Sequence, residues 1–247
     1  MITDPAFYAV AIPAVLLMGL SKSGFGAGFG ALAVPLMALA VPVPQAAAVM
    51  LPLLAIMDAL GLAAFLREFD RPLIRLLLPA GLLGTVVGTL LFGVLSAKAV
   101  AGIVGGITLA FVAVRIAWPP RPDAPPPPRW LGFLLGTTSG FTSFVAHAGG
   151  PPVSFYVVPL RLPPLTFTAT MAVFFAAVNT SKWLPYAWLG LIDTANMLTA
   201  LALAPVAPVG VWLGVKFVRR VPQVLFYRLF NASMVATGAK LLWDAVR

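Results

Sequence analysis

Long apolar segments dominate the sequence and limit what the chain can fold into. Ten such segments occur, at about residues 6–20, 25–41, 45–66, 72–95, 98–118, 130–146, 150–161, 165–188, 194–217 and 222–244. They are continuous rather than alternating, which predicts helices and argues against a transmembrane barrel. Because 61% of the residues are hydrophobic and only 9% are charged, a largely polar exterior cannot form. The sequence therefore predicts an all-α polytopic membrane protein.

Composition also narrows the chemistry. The chain has no cysteine and a single histidine, His147, which argues against disulfides and thiolate metal sites. With so few acids in the apolar segments, we expect no metal, no cofactor and no catalytic residue. The net charge of +9 is explained by basic cytoplasmic loops, so no nucleic-acid partner is expected.

Two related glycine-rich stretches interrupt the apolar pattern. Residues 19–35 read GLSKSGFGAGFGALAVP and residues 136–159 read GTTSGFTSFVAHAGGPPVSFYVVP, with a shared Ser-Gly-Phe core. Segments 6–20 and 25–41 are shorter than the roughly 20 residues of a spanning helix. We interpret them as the arms of one broken or re-entrant element around Ser21–Gly24. Two such elements at matching places in two halves indicate a transporter binding site.

A proline-rich stretch separates the two halves. Residues 119–128 contain seven prolines and favour an extended spacer. This predicts a first transmembrane repeat at 1–118, a linker at 119–129 and a second repeat at 130–247. A Pro-x4-Gly-x3-Gly pattern at Pro79 recurs at Pro205, which supports two repeats of about five segments each. The simplest role for these glycines is close helix packing.

Basic residues predict that the repeats are inverted. In the first half they follow the third segment (Arg67, Arg71, Arg75), and in the second half they follow the fourth (Lys216, Arg219, Arg220). Positive loops mark the cytoplasmic side, and an odd number of segments per half flips the second repeat. The linker is then cytoplasmic and both termini are external, in the cell membrane.

In combination and order, these motifs resemble the sulfite exporter TauE/SafE family. They are the two Ser-Gly-Phe motifs, the repeated Pro-x4-Gly-x3-Gly helix, and Asn179-Thr-Ser-Lys182 followed by Tyr186 and Gly190. The resemblance covers about residues 10 to 245. It implies a membrane permease for sulfur-containing anions such as sulfite or organosulfonates. We expect an exporter that works either by alternating access or by facilitated diffusion, with the anion bound between the two glycine-rich elements. The residues Phe144-Val-Ala-His147 before Gly149 depart from a plain glycine run, so the identity of the anion stays open. Whether the chain forms a homo-oligomer also stays open.

Few polar residues lie inside the apolar segments, and each one costs energy there. Lys22 is expected either to neutralise a bound anion or to extend to the interface. Lys182 and Asn179 share a helical face, and the alternative for Lys182 is an interfacial position with Trp183, Tyr186 and Trp188 as an aromatic belt.

Asp58 falls close to Asn179 in the repeat register. It is the candidate for proton coupling, or for an ion pair with a buried lysine. His147 is either an anion ligand or a packing residue. Hydroxyl side chains in the second half are numerous enough to line a polar pocket: Thr137, Thr138, Ser139, Thr142 and Ser143.

The predicted anion site combines glycine amides, hydroxyls and lysine charge. Its predicted members are Ser21, Lys22, Ser23, Gly24, Gly26, Gly28, Ser139, Gly140, Thr142, His147, Gly149, Gly150, Asn179 and Lys182. Two other classes of function stay open. One is a membrane scaffold or assembly factor that transports nothing. The other is an intramembrane enzyme, which is disfavoured because neighbouring residues such as Ser21 and Lys22 do not face each other on a helix.

Overall fold

The computed structural model describes residues 1–25, 29–65, 67–92, 94, 96–117 and 126–246. These residues form helices and no strand. The α-helices are α1 (Pro5–Leu20), α2 (Ala33–Met37), α3 (Val43–Phe65), α4 (Arg71–Leu90), α5 (Ala97–Ala117), α6 (Arg129–Ala146), α7 (Gly150–Val157), α8 (Pro164–Ser181), α9 (Trp183–Trp188), α10 (Thr194–Leu203), α11 (Val206–Val218) and α12 (Gln223–Val246). A π-helical turn at Ser21–Phe25 follows α1, and 3-10 turns lie at Phe29–Leu32 and Val158–Leu160.

Aspartate side chains cap the N-termini of three of these helices. Asp4 accepts a hydrogen bond from the Ala6 amide at the start of α1, and Asp70 accepts one from Leu73 at the start of α4. Asp193 does the same for Asn196 in α10, at 2.8 Å. A side-chain acceptor at this position satisfies an amide that has no partner within the helix. Three of the seven acidic residues are thus used to define helix ends.

Three helices of the described residues are long and apolar enough to cross a membrane: Pro5–Ser23, Val43–Phe65 and Arg71–Leu90. A fourth results if α10 and α11, which are bent by 49° at their junction, form one span. The first of these corrects the sequence-based expectation that the first segment is too short. The π-helical turn continues α1 through Ser21, Lys22 and Ser23, where the sequence pattern had indicated a break. With its several apolar helices, the fold is that of a polytopic membrane protein.

The second glycine-rich stretch also differs in detail from the prediction. Its Ser-Gly-Phe core lies inside α6, which continues to Ala146 and ends where His147 takes a left-handed conformation with φ of 50°. The chain then enters α7 at Gly150, with Pro151 and Pro152 in its first turn. Proline is accommodated there because the first helical amides have no partner within the helix.

Helices from the two halves pack against each other throughout. The fourth-segment helix of the first half, α4, packs along α6, and its counterpart α11 packs along α1. The two third-segment helices, α3 and α8, pack together, as do the last helices of each half, α5 and α12. Each half therefore supplies the packing partners of the other.

The hydrophobic core consists of two clusters, and both mix the halves. One joins α1, α2 and α3 to α10 and α11, around Phe7, Met50 and Leu203. The other joins α4 to α7, α8 and α12, around Leu77 and Phe174. Neither cluster is built from one half of the chain. The division at 119–129 therefore remains a prediction from the sequence and does not separate two packing units.

Glycines allow the closest helix contacts. A Cβ atom added to Gly84 on α4 would lie 2.0 Å from the Thr137 carbonyl oxygen, and one added to Gly140 on α6 would lie 2.0 Å from the Gly81 oxygen. On the other side of the molecule, a Cβ on Gly210 of α11 would lie 2.8 Å from the Leu16 oxygen of α1. The packing role predicted for the Pro-x4-Gly-x3-Gly glycines is confirmed at Gly84 and Gly210.

Candidate functional site

A small cavity of about 30 Å³ lies where the two glycine-rich stretches meet helices α3 and α8. A water needs roughly 10–15 Å³ by the same measure, so the space suits a small ligand. The residues that line it come from both halves of the chain: Met18, Ser21, Lys22, Gly30, Ala31, Leu54, Ser143, His147, Gly150, Phe175 and Asn179. Five of the predicted site residues are among them: Ser21, Lys22, His147, Gly150 and Asn179.

Lys22 forms an ion pair with Asp58. Lys22 lies on the π-helical turn and Asp58 on α3, and their side chains are 11% and 8% exposed. The ammonium therefore ends at a carboxylate inside the protein rather than at an interface. The ion pair expected as one role of Asp58 is present, and it compensates the charge of Lys22.

Asn179 connects this ion pair to Lys182. Its Nδ2 donates to Asp58 Oδ2 at 2.8 Å, and its Oδ1 accepts from Lys182 Nζ at 2.8 Å. A carboxylate can only accept and an ammonium can only donate, so the amide has one orientation that satisfies both. The contact between Asp58 and Asn179 joins α3 to α8, the two helices that the repeat register places in equivalent positions.

Lys182 is completely buried, which rules out the interfacial position. Its Nζ donates to the Ser143 carbonyl oxygen at 2.7 Å and to Ser143 Oγ at 2.8 Å, in addition to Asn179. The fourth neighbour is His147 Nδ1 at 3.0 Å. All four neighbours are neutral acceptors. Among the described residues, no carboxylate lies within ion-pair distance of this ammonium.

Backbone geometry and two hydrogen bonds fix the His147 ring. The residue ends α6, and its Nε2 lies 3.0 Å from the Ala47 carbonyl oxygen of α3. That oxygen can only accept, so Nε2 carries the proton and Nδ1 is the acceptor for Lys182. In this tautomer His147 is neutral, and it links the end of α6 to α3 and to Lys182.

The predicted aromatic belt is wrong for Tyr186. Tyr186 is buried, donates to the Phe144 carbonyl oxygen at 2.6 Å and stacks edge-on against the Phe144 ring at 5.2 Å. Trp188 is 79% exposed, as expected for a side chain that faces lipid. Tyr186 instead supports the helix end that carries His147.

Several predicted site residues lie outside the cavity lining. The hydroxyls of Ser23 and Ser139 donate to the carbonyl oxygens of Gly19 and Gly149, each at 2.6 Å. Thr142 donates to Thr138 in its own helix. These hydrogen bonds hold the backbone at both glycine-rich stretches.

The glycines predicted for the anion site also differ in their surroundings. Gly140 lies against Gly81 in the α4–α6 contact, and Gly149 lies against the Ser139 carbonyl oxygen. Gly24 lies in the π-helical turn. Gly26 and Gly28 are outside the described residues.

Ser143 is the hydroxyl that reaches both the cavity and Lys182, although the sequence pattern favoured Ser139. The apolar lining residues Met18, Leu54 and Phe175 were not predicted, because nothing in their local sequence sets them apart from other apolar residues. The described residues contain no group of three or more His, Cys, Asp or Glu side chains that could hold a metal ion.

Comparison with known proteins supports one assignment. The family model described as sulfite exporter TauE/SafE matches residues 11–241, which is nearly the whole chain. A comparison with curated proteins found no match, and a comparison with solved structures found none either. On the strength of the family match, together with its apolar helices, the chain belongs to the sulfite exporter TauE/SafE family of membrane transporters.

Proposed function

We propose that the protein exports small sulfur-containing anions, such as sulfite or organosulfonates, through the cavity between the glycine-rich stretches. One observation carries the proposal: among the described residues, the cavity region holds two ammonium groups, the partly buried Lys22 and the fully buried Lys182, and a single carboxylate, Asp58. With these groups ionised, one positive charge is uncompensated by protein. A buried charge without an opposite charge nearby costs free energy that a counterion offsets, so the region favours an anion. The family match indicates that the anion contains sulfur.

The surrounding groups suit an oxyanion. Lys22 and Ser143 line the cavity from opposite halves of the chain, and Lys182 lies directly behind Ser143 and His147. Gly150 lines it at the start of α7, where no side chain caps the helix. The positive end of a helix stabilises an anion. Because Pro151 and Pro152 have no amide hydrogen, the lysine charge carries most of the attraction.

Packing between the halves supports an inverted repeat with alternating access. Helix α4 lies on α6 as α11 lies on α1, and α3 and α8 meet near the cavity. This exchange of equivalent partners is expected from two repeats related by an axis in the membrane plane. We propose that the cavity becomes open to each side of the membrane in turn.

The basic loops support the proposed orientation. Arg219, at the end of α11, donates to the Ala64 carbonyl oxygen at the end of α3 at 2.9 Å. The two loops that carry most of the positive charge therefore lie at the same end of the molecule, although they follow different segments in the two halves. Positive charge marks the cytoplasmic side, so we propose a cytoplasmic linker and external termini in the cell membrane.

Export of an anion needs no coupling ion. A negative-inside potential drives each negative charge outward with about 2.3 kcal/mol per 100 mV. Import would require coupling to another ion, and Asp58 is the candidate for that role.

Uptake into proteoliposomes tests the proposal. The purified protein is reconstituted and offered sulfite, thiosulfate, sulfate and taurine-derived sulfonates, with Lys22→Ala and Lys182→Ala alongside. We expect each variant to lower the uptake rate at least about tenfold, since a hydrogen bond to a charged group contributes roughly 1.5–3 kcal/mol. Lys98→Ala, which removes an exposed lysine, is the matched control and should transport normally.

The same experiment separates the other functions. A scaffold that transports nothing would show no uptake above empty liposomes, and the proposal would fail. An intramembrane enzyme would convert its substrate in detergent, where no sealed compartment exists. Loss of transport in Lys98→Ala as well would show that the lysine effects are not specific to the cavity.

A further inference from the structure

Lys22 stands between the cavity and Asp58. The Lys22 side chain lines the cavity, and its ammonium contacts Asp58 Oδ1 on α3. Asp58 is not among the described residues that line the cavity. An anion in the cavity would therefore contact the same ammonium that the Asp58 carboxylate holds.

The remaining contact of Asp58 cannot replace Lys22. Asp58 Oδ2 accepts from Asn179 Nδ2, a neutral donor that is itself tied to Lys182 through Oδ1. If an anion draws Lys22 away, the carboxylate keeps one amide and loses its cation. A buried carboxylate without a cation is strongly unfavourable. A proton on Asp58 removes that charge and leaves the Asn179 side chain in place.

Other charged groups do not take over this role. Lys182 is held by Ser143 and His147, and the His147 ring is neutral in the tautomer that Ala47 requires. Arg219 reaches α3 at Ala64, six residues beyond Asp58 and about 9 Å along the helix axis. Asp193 lies near the opposite end of α3, since Asn196 contacts both Asp193 and Gln45, near the start of α3.

From these contacts we infer that Asp58 competes with the transported anion for Lys22, and that one proton binds Asp58 for each anion bound. The inference rests on the proposed function. In the empty site Asp58 is ionised and paired with Lys22. When the anion pairs with Lys22, the Asp58 carboxylate takes a proton from the aqueous side to which the cavity is open, and both leave together on the other side. Lys22 keeps its charge throughout.

This coupling sets the charge that crosses the membrane. A divalent anion crosses with one net negative charge, which the negative-inside potential still drives outward. A monovalent anion crosses without net charge, so its direction follows the concentration gradients of the anion and the proton. Competition for Lys22 thus gives Asp58 a role in the driving force as well as in the fold.

Sulfite binding to purified protein tests the competition. Affinity is measured from pH 6 to 8 for the wild type and for Asp58→Asn, which keeps the side-chain shape. The ratio of the two affinities cancels the titration of sulfite itself. We expect the variant to bind more tightly at high pH, and the ratio to change by up to about tenfold per pH unit, because each anion that binds the wild type brings one proton with it. Glu68→Gln, which removes an exposed acid, should follow the wild type.

Two further measurements test the roles of Lys22 and Asp58 separately. Lys22→Gln should lower sulfite affinity at every pH, because it removes the ammonium for which the anion and Asp58 compete. In proteoliposomes, Asp58→Asn should move one more negative charge per sulfite than the wild type. Equal pH dependence in wild type and Asp58→Asn would overturn the competition and leave the transport function intact. If sulfite neither binds nor crosses the membrane, the proposed function fails, and this inference fails with it.

Discussion

At the scale of single residues, satisfied hydrogen bonds keep charge inside the protein. Lys182 is fully buried, yet its ammonium has four acceptors within 3.0 Å. Transfer of an ammonium out of water is unfavourable unless such partners replace the solvent. Three of those acceptors belong to Ser143 and His147 at the end of α6. The position of this helix end is therefore as important for the site as the lysine itself.

Tyr186 provides a test of how that helix end is held. Tyr186→Phe keeps the edge-on contact with Phe144 and removes only the hydroxyl that donates to the Phe144 carbonyl oxygen. We expect a loss of about 1 kcal/mol in the free energy of unfolding. The fraction of protein that stays monodisperse after heating in detergent measures the effect. Trp188→Phe, at a position that is 79% exposed, should melt like the wild type. An equal shift in both variants would contradict the role of the Tyr186 hydroxyl.

At the scale of helices, close approach of backbones decides the architecture. Helix α4 meets α6 through Gly84 and Gly140, and α11 meets α1 through Gly210 and Gly19. Helices in lipid gain little from hydrophobic burial against each other, so small residues that allow close packing stabilise their association. The two contacts place both glycine-rich stretches beside α3 and α8, which is where the cavity forms.

Alanine substitutions at these glycines should severely destabilise the protein. In Gly84→Ala or Gly140→Ala the new Cβ would lie 2.0 Å from a backbone oxygen, so α4 and α6 must move apart. We expect a loss of more than about 3 kcal/mol in stability, with aggregation during purification.

Gly106→Ala on α5 is the matched control, because nothing lies within 4 Å of its added Cβ. Alanine favours a helix over glycine by roughly 1 kcal/mol, so this variant should be at least as stable as the wild type. Normal folding of Gly84→Ala would show that the α4–α6 contact is looser than the structure indicates.

At the scale of the whole molecule, the two halves are interleaved rather than adjacent. Both hydrophobic clusters contain helices from each half, and the network from Lys22 to His147 crosses between the halves at Asp58 and Asn179. A half without its partner would expose polar groups, such as Asp58 or Lys182, that no lipid can satisfy. The cavity exists only when both halves are present.

Separate expression of the two halves tests this interdependence. If the gene is divided after Pro126, each half alone should be degraded or aggregate in the membrane. Expressed together, the halves should assemble, and a tag on one should recover the other from detergent. A first half that is monodisperse by itself would contradict the interleaved packing.

Reporter fusions test the proposed orientation independently of transport. A reporter that is active only in the cytoplasm should be active after Pro126 and inactive at either terminus. The physical reason is that the basic loops at the shared end of α3 and α11 remain on the cytoplasmic side. A fusion after Arg71 should match the one after Pro126. An external linker would contradict the inverted arrangement of the repeats.

The sequence alone determined the class of protein, and it predicted which polar residues form the site. Long apolar segments require helices in lipid, because each backbone group must find its partner within its own segment. The same reasoning marked Lys22, Asp58, His147, Asn179 and Lys182, since any polar side chain in such a segment is costly wherever the helix packs. These inferences depend on local composition, so they needed no tertiary information.

The tertiary structure decided which of these residues meet. Asp58 is 36 residues from Lys22 and 121 from Asn179, and no local pattern encodes those pairs. Ser139 and Ser143 lie one turn apart on the same helix, yet the chain reversal at His147 places the Gly149 carbonyl over Ser139 and leaves Ser143 at the cavity. The rotation and depth of each helix follow from close packing against helices of the other half. That packing brings separate polar residues of the two halves together around one cavity.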